Sequence, residues 1–240
     1  MSPTVTINER FRGPPNSGNG GYVGGVFSRV LVPSGYGGVE VTLRSPIPLD
    51  KPLSVNEQGT AATITDGDTL IAEMKPVEPE LEIPMPPDWQ TTEAAVDGSF
   101  SLTPGTMFPG RNGFHPICFC CGAEHEAGLR VFAAPVGKQV AAIWTTQQSW
   151  ADDSGLIPTE YLWAAMDCPG QFAYMATGVR TGMLGRITAR VHQQPEAGQV
   201  LMVTAWTIQV DGKKHFAGSA VFDQQGRLYS EAVTVWIGRR

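Results

Sequence analysis

The sequence contains no long hydrophobic run and no concentrated basic segment. No stretch approaches the roughly 18 consecutive apolar residues that a membrane-spanning helix requires. The N-terminal MSPTVTINERFRG lacks the basic stretch and apolar core of a secretion signal. The formal net charge is −6, whereas general nucleic-acid-binding proteins carry clustered lysine and arginine. We therefore expect a cytoplasmic protein with no membrane association and no nucleic-acid partner.

Several motifs of common enzyme classes are also missing. There is no Gly-x-Ser-x-Gly elbow of an α/β serine hydrolase, no Walker loop and no strand followed by Gly-x-Gly-x-x-Gly. Cysteines are few, and three of them, Cys118, Cys120 and Cys121, are crowded together while Cys168 stands alone. Such close neighbours do not make a disulfide framework, so a reducing compartment is expected.

A proline-rich segment separates two parts of the chain that have the same order of predicted elements. Between Pro76 and Pro109 neither helical nor alternating periodicity is present, which indicates a linker or an irregular surface crossing. Helices are predicted at 22–32 and 158–176. Strands are predicted at 4–7, 39–44, 53–57, 60–65 and 69–75 before the linker, and at 129–133, 140–144, 187–192, 200–210, 215–223 and 227–237 after it.

The two parts also share sequence letters. GTAATITDGDTLIAE from Gly59 and GSAVFDQQGRLYSE from Gly218 have the same leading Gly-(Thr/Ser)-Ala, a glycine at the turn and a closing glutamate. This similarity predicts an internal duplication. Each half is then expected to be α+β, with one central helix covering the apolar face of a curved antiparallel sheet.

Two segments resemble a known enzyme family. HPICFCCGAEHEAGLRVFAAP (115–135) and PTEYLWAAMDCPGQFAY (158–174) are similar to the entrance motif and the central helix of phenylacetate-pathway-type acyl-CoA thioesterases. The resemblance implies a tandem, or double, hotdog fold. Its expected parts are an N-terminal hotdog at 1–77, a linker at 78–113 and a C-terminal hotdog at 114–240.

The resemblance also implies one composite site. In that family a His-Gly-Gly motif opens the central helix, and an acidic residue follows nine positions after the histidine. The first half has Asn19-Gly20-Gly21 with Ser28 at the acid position, and the second half has Asp167 with Pro158-Thr159-Glu160 in place of the motif. Each half therefore keeps what the other has lost.

Thioester hydrolysis needs a carboxylate and hydrogen-bond donors aimed at the developing oxyanion. We expect Asp167 to be the carboxylate, acting as general base or as nucleophile. The amides of Gly20, Gly21 and Tyr22, at the start of a helix, are the expected donors, and Asn19 beside them belongs to the same predicted catalytic set. The resemblance implies an acyl-CoA substrate, with coenzyme A as its carrier and no further cofactor. It also implies a homo-oligomer, a dimer or trimer of double hotdogs. A non-catalytic acyl- or acyl-CoA-binding protein with a degenerate site is the alternative, and a structural or assembly protein is a third interpretation.

Simpler explanations exist for the same residues. The glycines can form a turn capped by Asn19, and Gly24 and Gly25 can allow close helix packing instead of catalysis. Asp167 can be a structural acid whose carboxylate is held by the backbone or by Asn19, and burial should raise its pKa. Pro169 predicts that the second helix kinks or ends just past Asp167.

Further residues are candidates for substrate contact. Arginines at 180, 186 and 190 are the best candidates for coenzyme A phosphates, although they can equally form a solvated rim. Trp150, Tyr161 and Trp163 can line an acyl tunnel or belong to the core. The full set of predicted substrate-binding residues is Tyr22, Ser28, Trp163, Arg186 and Arg190.

The cysteine-rich segment offers metal ligands. His115, Cys118, Cys121 and His125 have types and spacings that a tetrahedral zinc accepts. Zinc sites more often combine two separated ligand clusters, however, and buried cysteines also pack as small apolar groups. The sequence therefore predicts no metal, with these four residues as the alternative zinc ligands.

Overall fold

The computed structural model of the protein describes residues 3–103 and 113–238. These residues form one antiparallel sheet of 11 strands, with the helices packed on it. The helices are α1 (Gly20–Leu31), α2 (Trp89–Ala94), α3 (Thr159–Ala165) and α4 (Cys168–Met175). The strands are β1 (Thr4–Thr6), β2 (Val39–Leu43), β3 (Pro52–Gln58), β4 (Ala61–Asp66), β5 (Thr69–Pro76), β6 (Ala134–Val136), β7 (Gln139–Thr145), β8 (Thr181–Val191), β9 (Val200–Asp211), β10 (Lys214–Phe222) and β11 (Leu228–Gly238).

The strand order shows that the two halves have equivalent topologies. Along the sheet the order is β1-β3-β4-β5-β2-β8-β11-β10-β9-β7-β6. The two halves meet at β2 and β8, whose register runs from Val39 opposite Ala189 to Thr42 opposite Arg186. Outward from this pair, β5, β4, β3 and β1 match β11, β10, β9 and β7. The two hairpins with similar sequences, β4–β5 and β10–β11, occupy equivalent places, as the duplication predicts.

Alternating side chains bury one face of the sheet against the helices. In β2, Val39 and Val41 are fully buried whereas Glu40 between them is partly exposed, which is the period of a strand with one covered face. Helix α1 places Val23 and Phe27 in the same core. Helix α1 therefore lies on the covered face of the sheet.

The helix expected at 158–176 is broken in two. Helix α3 ends at Ala165 and α4 begins at Cys168, with Asp167 between them at φ −72° and ψ −85°. Pro169 lies in the first turn of α4, where a missing N–H costs no helical hydrogen bond. The prediction of an interruption near Asp167 is confirmed, and the break places its side chain at the junction of two helices.

Two local predictions were wrong. Residues 129–133 are not a strand, because Leu129 and Val131 donate their N–H groups to the Phe119 and Cys120 carbonyls of the preceding loop. The segment 78–113 is not wholly irregular, since α2 forms there with the Asp88 side chain accepting from the N–H of Thr91. Residues 104–112 of that linker lie outside the described part of the chain. No helix in the described ranges is long and apolar enough to cross a membrane.

Candidate active site

The close crossing of α1 and α3 depends on glycine. A Cβ placed on Gly21 would lie 2.5 Å from the Trp163 carbonyl oxygen, and one on Gly25 would lie 2.6 Å from the Glu160 Cα. These neighbours are backbone atoms, so any side chain would force the helices apart. The interpretation of the helical glycines as packing residues is therefore confirmed. Close packing also brings the start of α1 to the break at Asp167.

The carboxylate of Asp167 is held by one oxygen only. Its Oδ2 accepts hydrogen bonds from Asn19 Nδ2 at 2.7 Å and from the Gly21 N–H at 3.0 Å. Its Oδ1 is buried and has no partner among the residues that the structure describes. The hydrogen bonds to Oδ2 fix the orientation of the carboxylate, and Oδ1 is left as an acceptor for another molecule.

Burial makes Asp167 a weak acid. The residue is 3% exposed. Loss of solvation raises the pKa of Asp167 from 3.8 to about 7, the neighbouring Cys118 adds to the rise, and hydrogen bonds from Gly21 and Asn19 oppose it. The carboxyl can therefore give up and take back a proton near neutral pH, which is what a general base requires.

Asn19 connects the helix start to this carboxylate. It is the N-cap of α1, and its Oδ1 accepts from the Tyr22 N–H at 2.9 Å while Nδ2 donates to Asp167. An amide side chain can do both because it carries an acceptor and donors. The prediction of a capping role for Asn19 is confirmed, together with its contact to the acid.

A cavity of about 510 Å³ reaches Asp167 from the surface. One part of its wall comes from the first half, around Asn19, Gly20 and Leu43, and the other from the second half, around Asp167 and Leu184. The cavity wall is mostly apolar. The structure therefore brings Asp167, Asn19 and Gly20 together at a cavity between the halves, with Gly21 behind them donating to Asp167.

Sequence analysis missed Gln171, which lines the same cavity and pairs with His115. The Gln171 side chain is buried, and its Oε1 lies 3.3 Å from His115 Nε2. Its Nε2 donates to the Gly182 carbonyl at 2.9 Å and to Thr181 Oγ1 at 3.2 Å. The available signal was spacing, because Gln171 follows Asp167 by four residues and thus shares its side of the helix.

Several predicted contact residues lie in the core instead of the cavity. Tyr22 stacks on Phe11 with ring centroids 3.7 Å apart, and burial raises its pKa. The Ser28 hydroxyl donates to the Gly25 carbonyl at 2.8 Å. Trp163 is 1% exposed in the helix interface. Their positions do not support substrate contact, and Trp150 and Tyr161 also stack within the core.

The predicted oxyanion donors need a similar correction. The Tyr22 N–H donates to Asn19 and the Gly21 N–H donates to Asp167, so both amides are already engaged. Only Gly20 of the three lines the cavity.

Two of the predicted arginines, Arg186 and Arg190, lie on the outside of β8. Arg186 donates to Thr42 Oγ1 at 3.0 Å and to Glu40 at 3.2 Å, and Arg190 donates to Glu78 at 3.0 Å. Neither lines the cavity, so the interpretation of a solvated rim fits them better than phosphate binding. Arg44, which sequence analysis did not select, does line it.

The predicted histidine and cysteine set does not assemble. His125 donates from Nε2 to the Arg10 carbonyl at 2.7 Å, and His115 faces Gln171. The thiol sulfurs of Cys118, Cys121 and Cys168 instead lie within 4.8 Å of one another. Hydrogen bonds from the Cys121 and Cys168 thiols hold the pKa of Cys118 well below its ordinary value.

No protein-family model and no curated protein matches the sequence. Solved structures do match the fold. The tesB protein of Mycobacterium avium subs paratuberculosis is 12% identical, with a TM-score of 0.58 over 95% of this chain and 89% of that one. A proposed thioesterase II from Thermobifida fusca YX is 13% identical, with a TM-score of 0.61 over 99% and 92%.

A proposed thioesterase from Novosphingobium aromaticivorans is 14% identical, with a TM-score of 0.63 over 99% of this chain and 95% of that one. These similarities span nearly the whole of both chains. Together with the paired half-sheets and the two central helices, they show that this chain has the double-hotdog fold, as the sequence predicts.

Proposed function

We propose that the protein is an acyl-CoA thioesterase-like hydrolase with one active site between its two halves. The observation that carries the proposal is the buried Oδ1 of Asp167, which has no partner among the described residues, in a residue that lines a cavity that both halves build. Burying a carboxylate oxygen without a hydrogen-bond partner costs free energy in the folded protein. Such a group therefore points to a functional role. The structural neighbours bear thioesterase names, which agrees with this chemistry.

The residues suggest a course for the reaction. The acyl chain of the thioester occupies the apolar part of the cavity, and its carbonyl carbon lies near Asp167. Oδ1 takes a proton from a water molecule, which attacks the carbonyl carbon, while Oδ2 stays fixed by Asn19 and Gly21. The N–H of Gly20, aided by the α1 dipole, stabilises the oxyanion. Collapse of this intermediate breaks the carbon–sulfur bond and returns the proton to the leaving thiolate of coenzyme A.

A second candidate function is acyl-CoA binding without turnover. It is favoured by Asn19, which stands where the thioesterase family has histidine and which, with Gly21, satisfies one oxygen of Asp167. In this case the carboxylate supports the packing of α1 against the α3–α4 break. The cavity would remain a ligand site.

Turnover of acyl-CoAs distinguishes the two functions. We expect the protein to release free coenzyme A from at least one member of a panel that covers short, medium, long and aromatic acyl groups. Release is measured with a thiol reagent, and melting temperature is recorded with each ligand. Ligands that raise the melting temperature without being cleaved would establish the binding function. If no ester is cleaved and none raises the melting temperature, both functions are refuted.

The pH dependence of turnover follows from the pKa of Asp167. With the pKa of this carboxyl raised to about 7, the base is protonated and inactive at pH 5 and ionised at pH 8. We expect kcat/KM to rise about tenfold per pH unit below 7 and to level off above it. The measurement is a pH series with the fastest substrate, and far-UV circular dichroism over the same range controls for unfolding. A flat profile from pH 5 to 8 would contradict the assignment of Asp167 as base.

A further inference from the structure

Three cysteines from two distant segments converge beside the cavity. Cys118 and Cys121 belong to the loop before β6, and Cys168 is the first residue of α4. All three are buried and are free thiols, and their sulfur atoms lie within 4.8 Å of one another. Cys118 and Cys168 also line the cavity. Zinc sites usually combine ligands from two separated segments. The folded chain meets this condition, because Cys168 joins the pair from the loop.

The distance between two of the three sulfurs agrees with tetrahedral coordination. The sulfurs of Cys118 and Cys168 are 3.6 Å apart. This separation is far too long for a disulfide bond of about 2.05 Å. Two thiolates bound at the usual zinc–sulfur distance of about 2.3 Å in a tetrahedron stand about 3.8 Å apart, which is close to the observed spacing.

The loop holds two of these ligands on a tight turn. The Gly122 N–H donates to the Cys118 carbonyl at 2.8 Å, and a Cβ on Gly122 would lie 2.6 Å from the backbone nitrogen of Cys118. The turn therefore needs glycine immediately after Cys121. A Cys-x2-Cys pair followed by a third ligand from elsewhere in the chain is a common source of ligands in zinc sites.

We propose that Cys118, Cys121 and Cys168 bind one zinc ion. Each thiol loses its proton to solvent on binding, so Zn²⁺ and three thiols give a complex of net charge −1 and three released protons. Soft thiolate ligands favour zinc over magnesium, calcium or manganese. Within the described ranges, no fourth His, Cys, Asp or Glu side chain joins the group. Zinc sites with three protein ligands keep a fourth position for water or another small ligand, and this site borders the cavity.

Metal content of the full chain tests the proposal. The protein is produced without a histidine tag in medium that contains zinc, iron and copper, and its metals are quantified by mass spectrometry after desalting. We expect about one zinc per wild-type chain and at least a tenfold lower content in Cys168→Ser. Cys120→Ser is the matched control, because Cys120 is a buried neighbour in the same loop whose thiol contacts that of Cys168 but does not belong to the group of three sulfurs. It should retain zinc.

A second measurement tests the proposal even if Cys168→Ser does not fold. Wild-type protein is stripped with a chelator and titrated with Co²⁺, which reports thiolate ligation by a charge-transfer band in the near ultraviolet and tetrahedral geometry by intense visible bands. We expect both signals in wild type and in Cys120→Ser, and their displacement by Zn²⁺. Wild-type protein that carries no zinc and gives no thiolate band would overturn the proposal. Equal metal loss in Cys120→Ser, or iron or copper in place of zinc, would overturn the assignment as well.

Discussion

Replacing Asp167 with asparagine should reduce kcat/KM for acyl-CoA hydrolysis by about 100-fold or more, the usual range for loss of a general base. The amide oxygen can still accept the hydrogen bonds from Asn19 and Gly21 that Oδ2 accepts. The atom at the position of Oδ1 becomes an NH₂ group, which cannot take a proton from water. The substitution thus removes the base while leaving its surroundings in place. Steady-state kinetics with the fastest acyl-CoA measures the effect.

Asp153→Asn is the matched control, since Asp153 is exposed and does not line the cavity. It should leave kcat/KM within about twofold of wild type, as for most surface substitutions. If Asp167→Asn also keeps wild-type turnover, the carboxylate has a structural role only. Binding of an uncleaved acyl-CoA analogue by Asp167→Asn should be retained, so a loss of turnover is separated from a loss of affinity.

Stability provides an independent check on the same substitution. The folded pKa of Asp167 is about 7 and its ordinary value is 3.8, so the folded state holds a proton that the unfolded state releases between these values. The contribution of Asp167 to wild-type stability is therefore greatest below pH 4 and falls as the pH rises to 7. Asparagine does not ionise, so Asp167→Asn should be the more stable protein at pH 8, by up to about 4 kcal/mol. Denaturant unfolding at pH 4 and pH 8 should show the difference only at the higher pH.

The sequence contained enough to predict which groups meet at Asp167. The spacing of Asn19-Gly20-Gly21 and of Asp167 within two similar repeats indicated that one half supplies the helix start and the other the acid. The pairing spans 148 positions, yet duplication predicts it because equivalent helices in two fused hotdogs cross. The break at Asp167 was also predictable, since Pro169 cannot continue a helix.

The predictions that failed required knowledge of which face of an element is covered. Arg186 and Arg190 are four residues apart on one strand, so alternation places them on the same face but does not say which. The structure puts that face outside, against Glu40 and Glu78. Trp163 presented the same problem, because an aromatic residue on an apolar helix fits both a tunnel and a core. Cys168 was missed as a partner of Cys118 because only the folded chain joins them.

The close packing of α1 against α3 can be tested at Gly25, because this residue packs against α3 but does not contact Asp167. Gly25→Ala would place a Cβ 2.6 Å from the Glu160 Cα, and Gly25 makes no hydrogen bond to Asp167. We expect it to lower the free energy of unfolding by about 1 to 3 kcal/mol through overpacking. Gly98→Ala, where the added Cβ meets nothing within 4 Å, serves as the control and should be close to neutral.

Gly21→Ala should have the larger effect, because overpacking there also displaces the acid. Its Cβ would lie 2.5 Å from the Trp163 carbonyl oxygen and 2.8 Å from the Asp167 Cβ. Alanine favours a helix over glycine by about 1 kcal/mol, but an overlap with backbone atoms that can be relieved only by separating the helices outweighs this gain. We expect a loss of about 2 to 4 kcal/mol in unfolding free energy and a fall in kcat of at least tenfold, because the Gly21 N–H leaves Oδ2. Equal kcat losses in Gly21→Ala and Gly25→Ala would show that helix spacing alone, and not the hydrogen bond to Oδ2, controls turnover.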